Sequence, residues 1–392
     1  TGFVVGWVYW TGMVLAMSSE ATAVSILVRN WVPGISIIIL GGAIIIGVTL
    51  LNLLGADKLS KLESGLAAIK LFAVVSFIIM ALALIVGIFS GRPAVGIGEL
   101  AGESLMPAGV AGLAGSMLIV MFTYAGFEII GLAASEAENP RVTIPRAIRY
   151  TVASLVGMYI LYILMLLPLI PTADVNESVS PIVAALNRHG IGWAGTALNV
   201  VLITAILSTM LAAMFGLGRM MRSLADEGLA PNWLKDKTDV PYRGIISSGI
   251  AMLVALGLGM LFPRVYLFLI SSGGFAILFT YVIIMATHIR FRKKNGCPPD
   301  GKCQMWGFPY TSLFVLLSLI AAIFSMPFVP GQASGLIAGL IIVAMYSLSY
   351  LIVRHFRPRI NMRNMYKREE GLTAEFSEEL SDTNDEKKSD GT

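Results

Sequence analysis

Charge is what this sequence has least of. Asp, Glu, Lys and Arg make up 13% of its 392 residues, against about 25% in an ordinary soluble domain. Too few charges are present to cover a water-exposed surface of normal composition. Histidine occurs three times, at His189, His288 and His355, each in a loop or at the end of an apolar run. None has a neighbour at ligand spacing, so no histidine-based metal site is expected. Cysteine occurs twice, at Cys297 and Cys303, in one basic loop. Two thiols make neither a disulfide scaffold nor a zinc site, and they read as reduced cytoplasmic thiols. There is no dinucleotide fingerprint, no phosphate loop and no serine or cysteine nucleophile motif. Nothing therefore points to an enzyme, to a cofactor or to a nucleic-acid partner.

What fills the chain is apolar sequence. Hydrophobic residues account for 56%, and the mean hydropathy is +0.79. Many runs reach the ~20 residues that a bilayer-spanning helix needs. An all-α polytopic membrane protein is expected. Ten spans are predicted, at approximately Gly2–Val28, Gly34–Gly55, Gly65–Ser90, Gly109–Ser135, Tyr150–Ile170, Ala194–Gly218, Gly244–Phe262, Val265–Ile289, Phe308–Phe328 and Ser334–Val353.

Lys and Arg are distributed unevenly between the two sets of loops. One set holds Lys58 and Lys61, then Arg141, Arg146 and Arg149, then Arg219, Arg222, Lys235, Lys237 and Arg243, then Arg290, Arg292, Lys293, Lys294 and Lys302, and the tail adds eight more between Arg354 and Lys388. The opposite set holds only Arg29, Arg92, Arg188 and Arg264. The positive-inside rule then puts both ends of this chain in the cytoplasm. Residues 357–392 are polar and acid-rich and read as a disordered cytoplasmic tail after a transmembrane domain of residues 1–356. In the opposite loop Pro171–Trp193, Ser180 and Pro181 can start a short amphipathic helix as N-cap and first residue. That helix reads equally as a lid or as a plain surface helix.

Three charges lie inside the spans: Glu20, Lys70 and Glu128. An ionisable group at such depth is costly and marks function by default. Glu128 follows Phe122, Thr123, Tyr124 and Gly126, and Gly131 lies just beyond. The two glycines weaken the helix around the acid, and broken helices at the midplane are where secondary transporters bind substrate. The alternative for Glu128 is a structural bracket on the broken helix. Glu20 sits among Ser18, Ser19, Ala21 and Thr22, so it faces protein or a cavity rather than lipid. It could meet a substrate amine, carry a proton or pair with another span. Lys70 either snorkels to the near surface or stands where a coupling cation would be, loading and losing a proton in each cycle. Thr204, Ser208 and Thr209 put hydroxyls on one helical face and could line an ion site near Lys70. Ser208, Ala212 and Gly216 form a small-residue seam that predicts close helix packing. Ser271–Gly274 with Phe275 reads either as a gate or as a packing pair of glycines.

The stretch Phe122–Gly131, followed by Ala134–Pro140 and Ile144–Ile148, resembles the sixth helix and following loop of amino acid permeases in the amino acid–polyamine–organocation superfamily. Gly218–Pro231 resembles that family's loop after helix eight. Trp7–Trp10 with Glu20–Ala23 resembles its helix three. The resemblance runs to about residue 356. It implies twelve helices with two inverted five-helix repeats, of which the ten spans would be helices three to twelve. The family's first helix, with its glycine-rich break, has no counterpart here, so the chain is expected to be a fragment of a longer protein.

By position, the resemblance makes Lys70 the fifth-helix lysine associated with proton coupling. It makes Phe122, Thr123, Tyr124, Gly126 and Glu128 the sixth-helix half of the substrate site, and Glu20 the third-helix acid. The expected function is proton-coupled symport of a neutral amino acid across the cell membrane by alternating access, with Phe275 against the substrate side chain. An exchanger and a non-transporting sensor stand as alternatives. The expected partners are the amino acid, protons and the lipid bilayer. The identity of the amino acid, the stoichiometry and the oligomeric state stay open.

Overall fold

The computed structural model describes residues 2–88, 93–104, 106, 109–124, 126, 140–175, 179–236, 238, 240–296, 305, 307–329 and 331–356. Among them there are helices, turns and loops but no strands. The helices are α1 (Gly2–Arg29), α2 (Ile37–Asn52), α3 (Ala56–Val86), α4 (Gly109–Thr123), α5 (Pro140–Leu166) and α6 (Pro181–Arg188), then α7 (Gly192–Asp226), α8 (Tyr242–Gly259), α9 (Val265–Asn295), α10 (Tyr310–Ser325) and α11 (Ala333–Phe356). Eight are long and apolar enough to cross a membrane by length and composition. The two remaining expected spans are shorter: α2 has 16 residues and α4 has 15. The architecture is that of an all-α polytopic membrane protein. Residues 1–344 form one compact unit and residues 345–392 a second, whose described part, 345–356, is helical.

α1 is the axis of the first unit. Every residue from Gly12 to Ser19 is buried, and a helix apolar and buried all round has neighbours on every side. Those neighbours are α2, α7, α8 and α9. The closest approach is to α9. A Cβ at Gly12 would lie 2.8 Å from the Ala276 Cβ, and one at Gly273 would lie 3.0 Å from the Gly12 carbonyl oxygen. Only glycine on both helices permits that spacing. The hydroxyls of this crowded segment bond to backbone. Ser18 donates to Val14 O at 2.8 Å and meets Met252 O of α8 at 3.1 Å. Thr22 donates to Ser18 O and Ser25 to Ala21 O.

Several helices outrun the expected spans. α7 continues through Gly218 to Asp226, because Gly218 is used for contact rather than for ending the helix. A Cβ at Gly244 of α8 would press on the Gly218 carbonyl oxygen. α9 carries Arg292, Lys293 and Lys294 in its last turn, where cations suit the negative end of the helix dipole. α5 begins at Pro140 rather than near Tyr150 and contains Pro145. Proline suits the first position of a helix, and near that end it costs few backbone bonds. The small-residue seam on α7 is not a packing seam: Ala212 is exposed and a Cβ at Gly216 would meet nothing within 4 Å. The close contact of that helix lies two residues further on, at Gly218.

Candidate functional site

The charged group sits between α1, α3 and α7. Lys70 is the fifteenth residue of α3 and half-buried. Its Nζ donates to Thr209 Oγ1 of α7 at 3.1 Å. Thr209 in turn donates to Ala205 O at 3.1 Å, so one hydroxyl gives its proton to its own helix and offers a lone pair to the lysine. The positive charge of Lys70 also acts on Glu20 of α1. Oε2 of Glu20 is buried and has no hydrogen-bond partner among the described residues. The neighbouring hydroxyls do not serve it: Ser19 donates to Ala16 O at 2.7 Å, and Ser18 and Thr22 donate to other carbonyls. Thr204 donates to Val201 O at 2.8 Å, and Ser208 is buried. Of the three hydroxyls on this face, Thr209 is the one that meets Lys70.

The expected break in the fourth span is present. α4 stops at Thr123, Tyr124 forms a turn, and Gly126 takes φ 108°, a value that side chains with a Cβ rarely adopt. Thr123 is exposed and donates to Ile119 O at 2.9 Å. Tyr124 is half-buried and lies edge-on to Tyr159 of α5, with ring centroids 5.1 Å apart. The backbone of Phe122 lies in the last turn of α4. Glu128 lies outside the described residues, as do Cys297 and Cys303 and residues 357–392.

Phe275 is 2% exposed in α9 and packs with Phe279 and with Leu118 of α4. Gly339 of α11 presses on its ring so closely that any Cβ there would collide. The Ser271–Gly274 stretch stays helical, and a Cβ at Gly274 would lie 2.9 Å from Leu118 Cδ2. The glycine pair is a packing device that brings α9 onto α1 and α4.

The structure therefore makes two groups. Lys70 and Thr209 form one, with Glu20 of α1 in range of the lysine charge. Thr123, Tyr124 and Gly126 form the other, on the helix whose Leu118 touches the Phe275 cluster. α1 joins them, since Gly12 meets α9 beside Phe275 and Glu20 lies eight residues along the same helix. Sequence reasoning missed Tyr159, and with it Tyr162, whose ring meets Phe77 of α3 at 5.4 Å. The signal was the spacing of two tyrosines in a lipid-length apolar run, but it does not show which neighbour they face.

A family model for amino acid permeases matches residues 1–370. A gamma-aminobutyric acid permease of Bacillus subtilis is 28% identical over 359 residues, covering 90% of this chain and 76% of the relative. An uncharacterized amino acid permease of the same organism is 32% identical over 323 residues, covering 80% of this chain and 71% of the relative. An aromatic amino acid transport protein of Salmonella typhimurium is 29% identical over 336 residues, covering 85% and 74%. These relatives are named as transporters, not as enzymes. With a match along nearly its whole length and a helical, multi-pass membrane architecture, the chain belongs to the amino acid permease family and serves amino acid transport across a membrane.

Proposed function

We propose that this permease is a proton-coupled symporter of neutral amino acids in the cell membrane, working by alternating access. The observation that carries this reading is the contact between Lys70 and Thr209. An ammonium group is held between two apolar helices by a hydroxyl 3.1 Å away, with the Glu20 carboxylate within reach of its charge. A fixed lysine there takes the place of a mobile coupling cation and changes its partners with its protonation state. A buried carboxylate oxygen without a hydrogen bond, as on Glu20, asks for a proton or an amine to neutralise it. The broken end of α4 and the Tyr124 ring supply the substrate station, and half-helix ends at such breaks receive charged substrate groups.

Both chain ends lie in the cytoplasm on this reading, because the Lys and Arg bias of the loops follows the positive-inside rule. Residues 357–392 are read as a cytoplasmic tail. The loop carrying α6 then faces outward. Neutral substrates are supported by two of the relatives' names, since gamma-aminobutyric acid and the aromatic amino acids carry no net charge at neutral pH.

The test is uptake of a panel of labelled amino acids into proteoliposomes with an inward proton gradient on or off. Accumulation of one neutral class only with the gradient supports the symporter. Lys70→Ala should then lose gradient-driven accumulation while retaining substrate binding. Exchange that ignores the gradient would make the protein an antiporter, and unchanged gradient-driven uptake by Lys70→Ala would remove the lysine from the coupling step.

A further inference from the structure

We propose that Arg188 is a positioning residue for the coupled step. It fastens an outer cap that holds α3 against α7, and thereby holds Lys70 on Thr209. The inference rests on the proton-symport reading above.

Arg188 ends α6. Its Nη2 lies 2.6 Å from Glu99 Oε1 and its Nη1 lies 3.2 Å from Asp174 Oδ2. One guanidinium thus bridges two carboxylates from two different loops. The planar fork of arginine offers a separate N–H to each carboxylate in a fixed geometry, which the single ammonium of lysine does less well. Glu99 is itself anchored twice. Its backbone N–H donates to Pro168 O, beyond the end of α5, at 3.1 Å. The strap that carries it is bonded to the end of α3, with Val95 N donating to Leu84 O at 3.1 Å and Gly96 N to Ile85 O at 3.0 Å. Asp174 lies on the turn after α5, and the Thr172 N–H of that turn donates to Glu103 Oε1 on the same strap. The ring of His189 adds a bond to Leu169 O at 3.0 Å.

Below this polar clasp lies one apolar cluster. Phe77, Ala81 and Leu84 come from α3, Ile182 and Leu186 from α6, and Ala194 and Leu198 from α7, with Leu169 and Ile170 following α5. The chain passes tightly from α6 to α7, since a Cβ at Gly195 would lie 2.9 Å from Asn187 Oδ1. The amphipathic helix that could have been a free lid is docked here by its apolar face.

The cap therefore joins the ends of the two helices whose middles meet at Lys70 and Thr209. Helical rise puts Phe77 about 10 Å along α3 from Lys70, and Leu198 about 16 Å along α7 from Thr209. The third helix of the cap, α5, reaches the substrate station through Tyr159 and Tyr124. Coupling needs an element on which both sites act. The cap is placed to be that element, because α3, α5 and α7 all end in it.

The experiment compares gradient-driven accumulation with counterflow, the exchange of labelled for unlabelled amino acid without a gradient, for one substrate in proteoliposomes. Arg188→Ala should lower accumulation about three- to tenfold, the size that two exposed ion pairs can supply, with counterflow changed less than about twofold. Arg188→Lys should fall between. The double variant Glu99→Gln with Asp174→Asn should behave as Arg188→Ala does. The exchanged pair Arg188→Glu with Glu99→Arg should recover part of the accumulation. A parallel fall of accumulation, counterflow and melting temperature in Arg188→Ala, without recovery in the exchanged pair, would reduce the clasp to a structural brace and overturn the proposal. So would unchanged accumulation in Arg188→Ala when the wild type accumulates. If the wild type shows no gradient dependence, the symport reading itself falls and takes the proposal with it.

Discussion

Replacing Thr209 by valine tests the proposed coupling site with the least disturbance. Valine keeps the β-branched shape of threonine and removes the oxygen that Lys70 meets at 3.1 Å. A hydrogen bond to a charged group is worth about 1.5–3 kcal/mol. Lys70 is half-buried rather than sealed, and solvent screening moves the expectation to the bottom of that range. About 1.4 kcal/mol is a factor of about ten. The initial rate of gradient-driven uptake at low substrate concentration should therefore fall about tenfold in Thr209→Val. Thr209→Ser keeps the hydroxyl and should stay within about threefold of the wild type, since only the methyl packing is lost. Counterflow should change little in either, because no substrate group is asked to meet this hydroxyl. The assay is uptake into proteoliposomes under a fixed imposed proton gradient, with protein amount normalised. If valine and serine prove indistinguishable, the oxygen of Thr209 takes no part in coupling and the reasoning fails. If valine abolishes counterflow as fully as accumulation, the residue acts on the fold or on substrate instead.

Two other outcomes follow from the packing. Gly339→Ala forces a Cβ into the Phe275 ring and should cost about 1–3 kcal/mol as overpacking, read as a lower melting temperature in detergent. Adding Phe275→Ala to that variant should return part of the loss. Tyr159→Ala removes the edge-on partner of Tyr124, and aromatic pairs of this kind are worth about 0.5–1.5 kcal/mol. It should raise the KM for uptake roughly two- to tenfold with little change in maximal rate, and a KM equal to that of the wild type would show that Tyr159 does not set the pose of Tyr124.

Sequence reasoning reached unequally far along the chain, for physical reasons. The spans were legible because each run of ~20 apolar residues has no other place to go. The break after Thr123 was legible because Gly126 follows an apolar helix at the point where a carboxylate enters it, and φ 108° there uses the freedom of glycine. The start of α6 at Pro181 was legible from one proline, although the Ser180 side chain makes no capping bond. What the pattern could not give was the use of glycine for contact. Gly216 and Gly218 lie two residues apart on α7, yet one faces open space and the other meets Gly244. Composition treats them alike, and only the crossing of α7 with α8 separates them. Arg188 was hidden for a related reason. It counted as a stray cation on the sparsely charged side, while its partners Glu99 and Asp174 lie 89 and 14 residues away.

The two proposed groups are linked to opposite halves of α1, Glu20 lying on the second half and Gly12 of the first half meeting α9 beside Phe275, and that arrangement constrains how they can communicate. Gly12 fixes the first half to α9 by a contact without slack, where a Cβ at Gly273 would lie 3.0 Å from its carbonyl oxygen. Ser18 fixes the middle to α8 through Met252 O. A helix held so closely on two sides slides or tilts poorly, because packed interiors have few alternative arrangements. On the proposed reading Glu20 answers a change at Lys70 through charge rather than through movement of α1. The moving partners on the proposed reading are α3 and α5, which touch each other and join at the Arg188 clasp. On this reading α1 is the fixed rail that carries the carboxylate, and the proton signal passes to the substrate station around it, by way of the cap.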